Sequence, residues 1–418
     1  MTEAEANGTG PLSGIRVLDL SRVLAGPWAT QVLGDLGAEV VKIEKPGQGD
    51  DTRSWGPPWL ETEQGDFSAY FLACNRNKRS LAVDLATSNG ADIVRRLAME
   101  ADVVVENFKV GSLSRYGLDH ESLRRLNPRL VYCSITGFGQ DGPYAERGGY
   151  DFLVQGMGGL MSVTGPEGGE PTKVGVPVVD LFTGLYAVIA IQAALRHRDR
   201  TGEGQHIDCA LLDSTVGVLA NQGMNWLVGG HIPKPMGNGH PNVVPYRTFA
   251  AADGHLIVAI GNDGQFKAFC RLLGRADLAD HPDYASNAGR VANRAALEEA
   301  LAVEISGYRS ADLLERMTAA GVPGGPINRL DQVFSDPQVQ ARRMVETFAL
   351  EEGKAMHLTR FPAKLSASPA SIRSLPRALG ADSADILAGL GLSGDDIRNL
   401  QNKGIVATPV AYDAREES

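Results

Sequence analysis

Apolar residues in the first 140 positions fall into short blocks whose period changes in a regular order. Residues 14–21 (GIRVLDLS) read as a strand. Residues 26–38 (GPWATQVLGDLGA) carry helical spacing that stops at Gly37, and 39–47 (EVVKIEKPG) form a second strand closed by Pro46 and Gly47. Strand, helix, strand is the opening of a parallel α/β sheet. The order then repeats: RSLAVDL is a strand, 89–100 a helix, DVVVENF a strand, SLSRYGL and ESLRRL short helices, and LVYCSITGFG another strand.

After Gly149 helical spacing takes over, at 151–161, at 180–198 and in a long third run, 208–230. From about Tyr246 a smaller α+β pattern follows. It has strands around YRTFAAADGHLIVAIG and helices at 263–273 and 290–306. GVPGGPINRLDQVFSDPQV reads as a return linker. Short strands (MVETFAL, AMHLTRF) and a helix near 393–402 come last, and the polar tail ATPVAYDAREES is expected to be disordered.

Composition narrows the class. The 418 residues are 43% hydrophobic with a net charge of -10, which is globular and long enough for two domains. The acidic balance argues against nucleic acid as a partner. Four separated cysteines without a CxxC pair suit a reducing compartment, and the histidines show no metal spacing. The acidic, polar start lacks a signal-peptide core. The apolar stretch 181–195 is interrupted by Thr183, Gly184 and Gln192, so it reads as a buried helix, not a membrane span. The cytoplasm is the expected location.

Candidate chemistry begins with Asp180, the one charge in VGVPVVDLFTGLYAVIAIQAAL. Its position before an apolar helical run suits an N-cap. Facing a helix N-terminus, the carboxylate is expected to stay ionised at neutral pH, and an ionised, poorly solvated carboxylate is a competent nucleophile. Asp151, in RGGYDFL, offers a second carboxylate with the same capping alternative. The first strand–helix turn, SRVLAGPWA, is not GxGxxG, which disfavours a nicotinamide site. Lys42, Lys45, Arg53, Arg76, Lys78 and Arg79 follow strand ends and read either as solvated charge or as a phosphate site. Asn107, Phe108, Lys109 and Arg115 set an aromatic ring beside two cations, which suits a purine and its phosphates. GNGHP carries Gly237, Asn238, Gly239 and His240, and its glycines could bring backbone N–H groups to a substrate. There is no GxSxG or HExxH motif.

VLDLSRVLAGPWATQVLGDLGAEVVKIEKPGQGDDTR, NRNKRSLAVDL, DVVVENF, ITGFGQDGPY, GVPVVDLFTG and TGEGQHIDCALLDS together resemble the class III CoA-transferases, the formyl-CoA and carnitine CoA-transferase family. The likeness runs in order from about Leu12 to Val406. WGPPW and SITGFGQDGP lean toward the succinyl-CoA:glutarate CoA-transferase branch. The resemblance implies an α/β fold with a Rossmann-like parallel-sheet large domain from both chain ends, a small α+β inserted domain, and an interlocked homodimer. It divides the chain at 1–228, 229–330 and 331–418. It implies transfer of CoA, bound only as acyl-CoA substrate and with no permanent cofactor, to a small carboxylic acid. The acyl group would pass through an anhydride and an aspartyl-CoA thioester on Asp180. Tyr150 and Asp151 match a pair beside the nucleophile. Val23, Leu24, Ala25, Lys45, Val83, Asn107, Phe108, Lys109, Arg115 and Gly149 match CoA contacts, and Gly237, Asn238, Gly239 and His240 a substrate loop. Leu24 replaces a Gln of formyl-CoA transferases, and Ala86 replaces a family Lys. The α-methylacyl-CoA racemases share the fold but carry a His where this chain has Tyr150, a poor partner for α-proton exchange. A racemase is therefore the second reading, and a catalytically silent CoA-binding protein the third.

Overall fold

A computed structural model describes residues 10–409. Two compact units emerge. The first takes residues up to Leu160, Val174–Met224 and everything from Ala341; the second takes Met161–Lys173 and Asn225–Gln340. The first unit carries β1 (Arg16–Asp19), β2 (Glu39–Glu44), β3 (Trp59–Thr62), β4 (Gly65–Ser68), β5 (Lys78–Val83), β6 (Val103–Glu106), β7 (Val131–Thr136) and β8 (His206–Ala210). The second carries β9 (Tyr246–Ala251), β10 (Gly254–Ala259) and β11 (Gly324–Pro326). β12 (Val345–Ala349), β13 (Ala355–Thr359) and β14 (Val406–Ala407) belong to the first again.

Seven strands form one sheet in the order β14-β5-β2-β1-β6-β7-β8. All pair in parallel except β14, which runs antiparallel to β5 through Val406 and Val83. Val103, Val104 and Val105 are fully buried, as the continuous apolar run of a strand covered on both faces requires. The chain builds outward from β1 to β2 and β5, then re-enters at β6 and builds the other way. The connections from β1 to β2 and from β6 to β7 therefore leave toward opposite sides of the sheet, and a crevice opens at the carboxyl edge.

Helices Ala25–Asp35 and Val178–Thr201 pack together on one face, where Ala29, Leu33, Ala187 and Ile191 meet the sheet. Gly184 makes the crossing possible: a Cβ there would lie 2.7 Å from the Ala25 carbonyl oxygen. Val178–Thr201 is one helix long and apolar enough to cross a membrane by length and composition. Ser88–Glu100, His120–Leu126 and Ser383–Gly389 cover the opposite face through Ile93, Val94, Leu123, Ile386 and Leu387. In the second unit β11-β10-β9 is an antiparallel sheet whose core includes Phe266, Phe269, Leu297 and Leu301.

Several expectations change. The run 208–230 is not one helix: Asp208, Cys209 and Ala210 pair with Ser134, Ile135 and Thr136 as β8, and helices Leu211–Val218 and Ala220–Gly229 follow. The helix at 151 ends at Met157. The return segment is not plain linker, because Gly324–Pro326 is a strand and Leu330–Ser335 a helix. Ala407, first residue of the tail expected to be disordered, pairs with Ala82; from residue 410 the tail lies outside the described residues, as does the chain start before residue 10.

Candidate active site

The loops after β1 and β6 lock together at the crevice. Arg22 N–H donates to Asn107 Oδ1 at 2.9 Å, and Asn107 Nδ2 returns a bond to Arg22 O at 2.7 Å. Arg22 also pairs with Asp51 at 3.1 Å and lies 5.7 Å from the Phe108 ring centre. Val23 holds φ 70, a costly conformation for a β-branched residue, with its N–H 3.3 Å from Asp50 Oδ1.

Four of the cations read as a phosphate site are spent inside the fold. Lys42 pairs with Asp50 at 2.8 Å, Arg53 with Glu44 at 2.7 Å, Arg76 with Asp35 at 2.5 Å and Lys78 with Asp19 at 3.0 Å, all buried. Burial opposes ionisation of Asp50, but Lys42 outweighs it and holds the carboxyl down at about 2. Arg79 stays half-exposed, 3.8 Å from Asp382. These pairs shape the carboxyl edge from beneath and leave Lys45 exposed.

Above them lies a cleft of about 520 Å³. Val23, Leu24, Ala25, Asn107, Phe108, Lys109, Gly149, Tyr150 and Asp180 all line it. Gly149 is required there, because a Cβ would come within 2.4 Å of the Gly137 Cα. A second cavity of about 280 Å³ is lined by Lys45, Val83, Phe108 and Arg115, with Ala86 also on its wall. Arg22, Phe108 and Ser112 border both. The structure thus gathers Asp180, Tyr150 and the CoA-contact candidates around two spaces that share three residues, while Asp151 lines neither.

Asp180 sits in the first turn of Val178–Thr201, not at its N-cap, which is Pro177. The helix N-terminus does not keep it fully ionised at neutral pH, contrary to expectation. Burial, and then the nearby Asp151 charge, push its carboxyl up to about 7. Nor does Asp151 cap its own helix, whose N-cap is Tyr150. Asp151 Oδ1 instead accepts from Val179 N–H at 2.8 Å and Asp180 N–H at 3.4 Å, while Oδ2 accepts from Gln155 Nε2 at 2.6 Å. Asp151 is a cap supplied to the Asp180 helix from another element.

Gly237, Asn238, Gly239 and His240 fold within the second unit. Gly237 N–H donates to Gly165 O at 2.9 Å, Gly239 N–H to Met236 O at 3.0 Å and His240 N–H to Tyr246 O at 3.0 Å. Those donors are already used, so in this conformation they are not offered to a substrate as the glycine pattern suggested. Sequence reasoning missed Arg22, Gln155 and Arg147. The spacing of Gln155, four residues after Asp151, was the available signal. Arg147, on the cleft wall, is held 4.6 Å from the Tyr144 ring and 5.5 Å from that of Phe138.

Comparisons with known proteins agree with this arrangement. A family model described as CoA-transferase family III matches residues 12–383. The chain is 52% identical over 386 residues to the succinate–glutarate CoA-transferase of Agrobacterium fabrum, covering 92% of this chain and 96% of that one. It is 47% identical over 337 residues to the succinyl-CoA:glutarate CoA-transferase of Mus musculus, covering 81% and 76%. The crystal structure of a CAIB/BAIF family protein from Brucella suis matches with a TM-score of 0.81 at 52% identity, covering 91% of this chain and 100% of that one. The resemblance carried by the six sequence blocks therefore holds: the chain belongs to CoA-transferase family III and is a CoA-transferase.

Proposed function

We propose that this enzyme moves CoA from succinyl-CoA to an acceptor dicarboxylate through Asp180. The observation that carries the reading is a carboxylate on the wall of a cleft at the sheet's switch point, beside the loops Val23–Leu24–Ala25 and Asn107–Phe108–Lys109. The Asp180 carboxylate attacks the thioester carbonyl, the C–S bond breaks, and a mixed anhydride and CoA thiolate result. The thiolate attacks the aspartyl carbonyl, the anhydride C–O bond breaks, and succinate leaves with an aspartyl-CoA thioester in place. An acceptor carboxylate attacks that thioester and expels CoA thiolate. The thiolate attacks the acceptor's carbonyl in the new anhydride, giving the new acyl-CoA and freeing Asp180. Thioester and anhydride are close in group-transfer potential, so exchange runs both ways. The second cavity, with Lys45 and Arg115 at its rim, suits the nucleotide end, and Phe108 and Arg22 suit the passage between the two spaces.

Two observations support a dicarboxylate. The relatives from Agrobacterium fabrum and Mus musculus are named for succinate and glutarate. Arg147 lines the Asp180 cleft, borders none of the second cavity, and has no carboxylate partner among the described residues. We assign it to the far carboxylate of the acid. The test is a mass-spectrometric panel: succinyl-CoA or acetyl-CoA is mixed with labelled glutarate, malate, itaconate, mesaconate, oxalate or butyrate. New acyl-CoA is expected from succinyl-CoA with a dicarboxylate. Arg147→Met should raise the KM for that acid about tenfold, the scale of one lost charged hydrogen bond, and leave butyrate unchanged. No transfer with any pair, but deuterium uptake at the α-carbon of a branched acyl-CoA, would instead favour the racemase reading.

The active form in this reading is an interlocked homodimer. Phe182, Leu185, Tyr186 and Ile189 recur at helical spacing on one exposed face of Val178–Thr201, with Ile189 62% exposed. Phe152, Leu153 and Met157 expose further apolar surface on the helix packed against it. A second copy of the chain is the cover we propose for so much apolar area, and sedimentation should give twice the chain mass of 44.5 kDa. The same reading places the enzyme in the cytoplasm, with no membrane or nucleic-acid partner and no permanently bound cofactor.

A further inference from the structure

A helix begins with backbone N–H groups that have no partner inside it. In Val178–Thr201 those of Val179 and Asp180 are among them, and Pro177 provides no side-chain cap. Asp151 meets both from 28 and 29 residues earlier in the chain. What fixes Asp151 is Gln155, which is fully buried. Its Nε2 donates to Asp151 Oδ2 at 2.6 Å, and its Oε1 accepts from Val174 N–H at 2.8 Å. The amide has one workable orientation. Turned over, it would set its oxygen against the carboxylate and its NH2 against the Val174 N–H. The chain segment entering the Asp180 helix and the carboxylate capping that helix are thus tied to one side chain.

We propose that Gln155 is a positioning residue: it fixes Asp151, which holds the backbone from which the Asp180 side chain enters the cleft. This rests on Asp180 as the nucleophile. The arrangement has an electrostatic consequence. The titratable and charged groups that face Asp180 or lie on elements packed around its helix are Asp151, Tyr70 on helix Ala69–Cys74, Asp213 on helix Leu211–Val218, and Arg22, Asp51, Lys109, Arg147 and Tyr150 in the cleft. Tyr70 is pushed up to about 12, by burial first and Asp180 next, and stays neutral. Burial gives Asp180 most of its upward shift, and Asp151 is the neighbour that adds to it. The same cap that holds the nucleophile therefore raises its proton affinity.

Gln155→Met keeps the volume and removes both hydrogen bonds. Its kcat for CoA transfer should fall about 10- to 100-fold, the scale of a small misplacement of a reacting group. KM for succinyl-CoA should stay within about twofold, and the amides of Val179 and Asp180 should exchange hydrogen faster. Asp151→Asn keeps one acceptor but turns an NH2 toward Gln155 Nε2 and deletes the charge. Its acid limb in kcat/KM should move below the wild-type position near pH 7, with kcat again reduced. Unchanged amide exchange in Gln155→Met overturns the proposal, as does unchanged kcat in a folded variant. If that variant does not fold, unchanged exchange of the same two amides in Asp151→Asn, where the Gln155 tie is broken, overturns it. Amide exchange reads the clamp without any turnover, so failure of Asp180 as nucleophile would show separately, as transfer surviving its removal.

Discussion

Asp180→Ala is expected to abolish transfer, with kcat down by about 10⁴-fold or more, roughly 5 kcal/mol of barrier. No neighbouring carboxylate can stand in. Asp151 has both oxygens engaged by Val179, Asp180 and Gln155, and Asp51 is paired with Arg22. The thioester would lack a nucleophile, and no hydroxylamine-sensitive acyl-enzyme should form with succinyl-CoA. Stability should move the other way. A carboxyl raised to about 7 in the folded chain, from 3.8, favours folding while protonated, and that contribution is lost as pH rises through about 7. At pH 8 the alanine variant should melt at the wild-type temperature or above it. Wild-type turnover in a correctly melting variant would refute the mechanism; a large drop in melting temperature would show that Asp180 is structural.

Lys78→Met should cost about 3–5 kcal/mol of stability, read from the denaturant midpoint, because it strands a buried carboxylate. Asp19 is wholly buried and accepts from Lys78 Nζ at 3.0 Å, Thr30 Oγ1 at 2.6 Å and Ser21 N–H at 3.0 Å. Lys78 also donates to Pro27 O at 2.9 Å and Asn75 Oδ1 at 3.0 Å, so the loop loses those ties as well. Burial opposes ionisation of Asp19, but Lys78 and then Lys42 outweigh it and hold the carboxyl below its ordinary value. A lowered carboxyl stabilises above its unfolded pKa and loses that contribution as pH falls through the folded one. In Lys78→Met that acid-labile share should be gone. Because Ser21 and Thr30 flank the loop of Val23, Leu24 and Ala25, KM for succinyl-CoA should rise too. A denaturant midpoint equal to wild type would show that the ion pair is dispensable.

The parallel sheet was legible because its strands are continuous apolar blocks separated by Gly and Pro punctuation. Asp180 was legible as a lone charge in such a block. What holds it was not, because Asp151 caps a helix far along the chain and that contact exists only after tertiary packing. The same reason misled the reading of Lys42 and Lys78. In one dimension Lys42 follows Val40 and Val41 and Lys78 follows Asn77, with no partner signalled, and only the folded sheet brings Asp50 and Asp19 onto them. At 208–210 the short run Asp208, Cys209 and Ala210 fits either period, and pairing with β7 decides for strand. Val406–Ala407 is too short to signal a strand at all, and its place comes from the exposed edge of β5.

That last strand has a consequence for how the protein is made. β5 leaves the ribosome early, but the segment that closes its edge is translated about 320 residues later. At a synthesis rate of about 5–20 residues per second, the edge waits roughly 15–65 s. The second unit, with its own apolar core, has by then been made in full. A newly made chain thus carries a finished insert while its large sheet is still open at one side, and through that interval chaperones have an unpaired strand to shield.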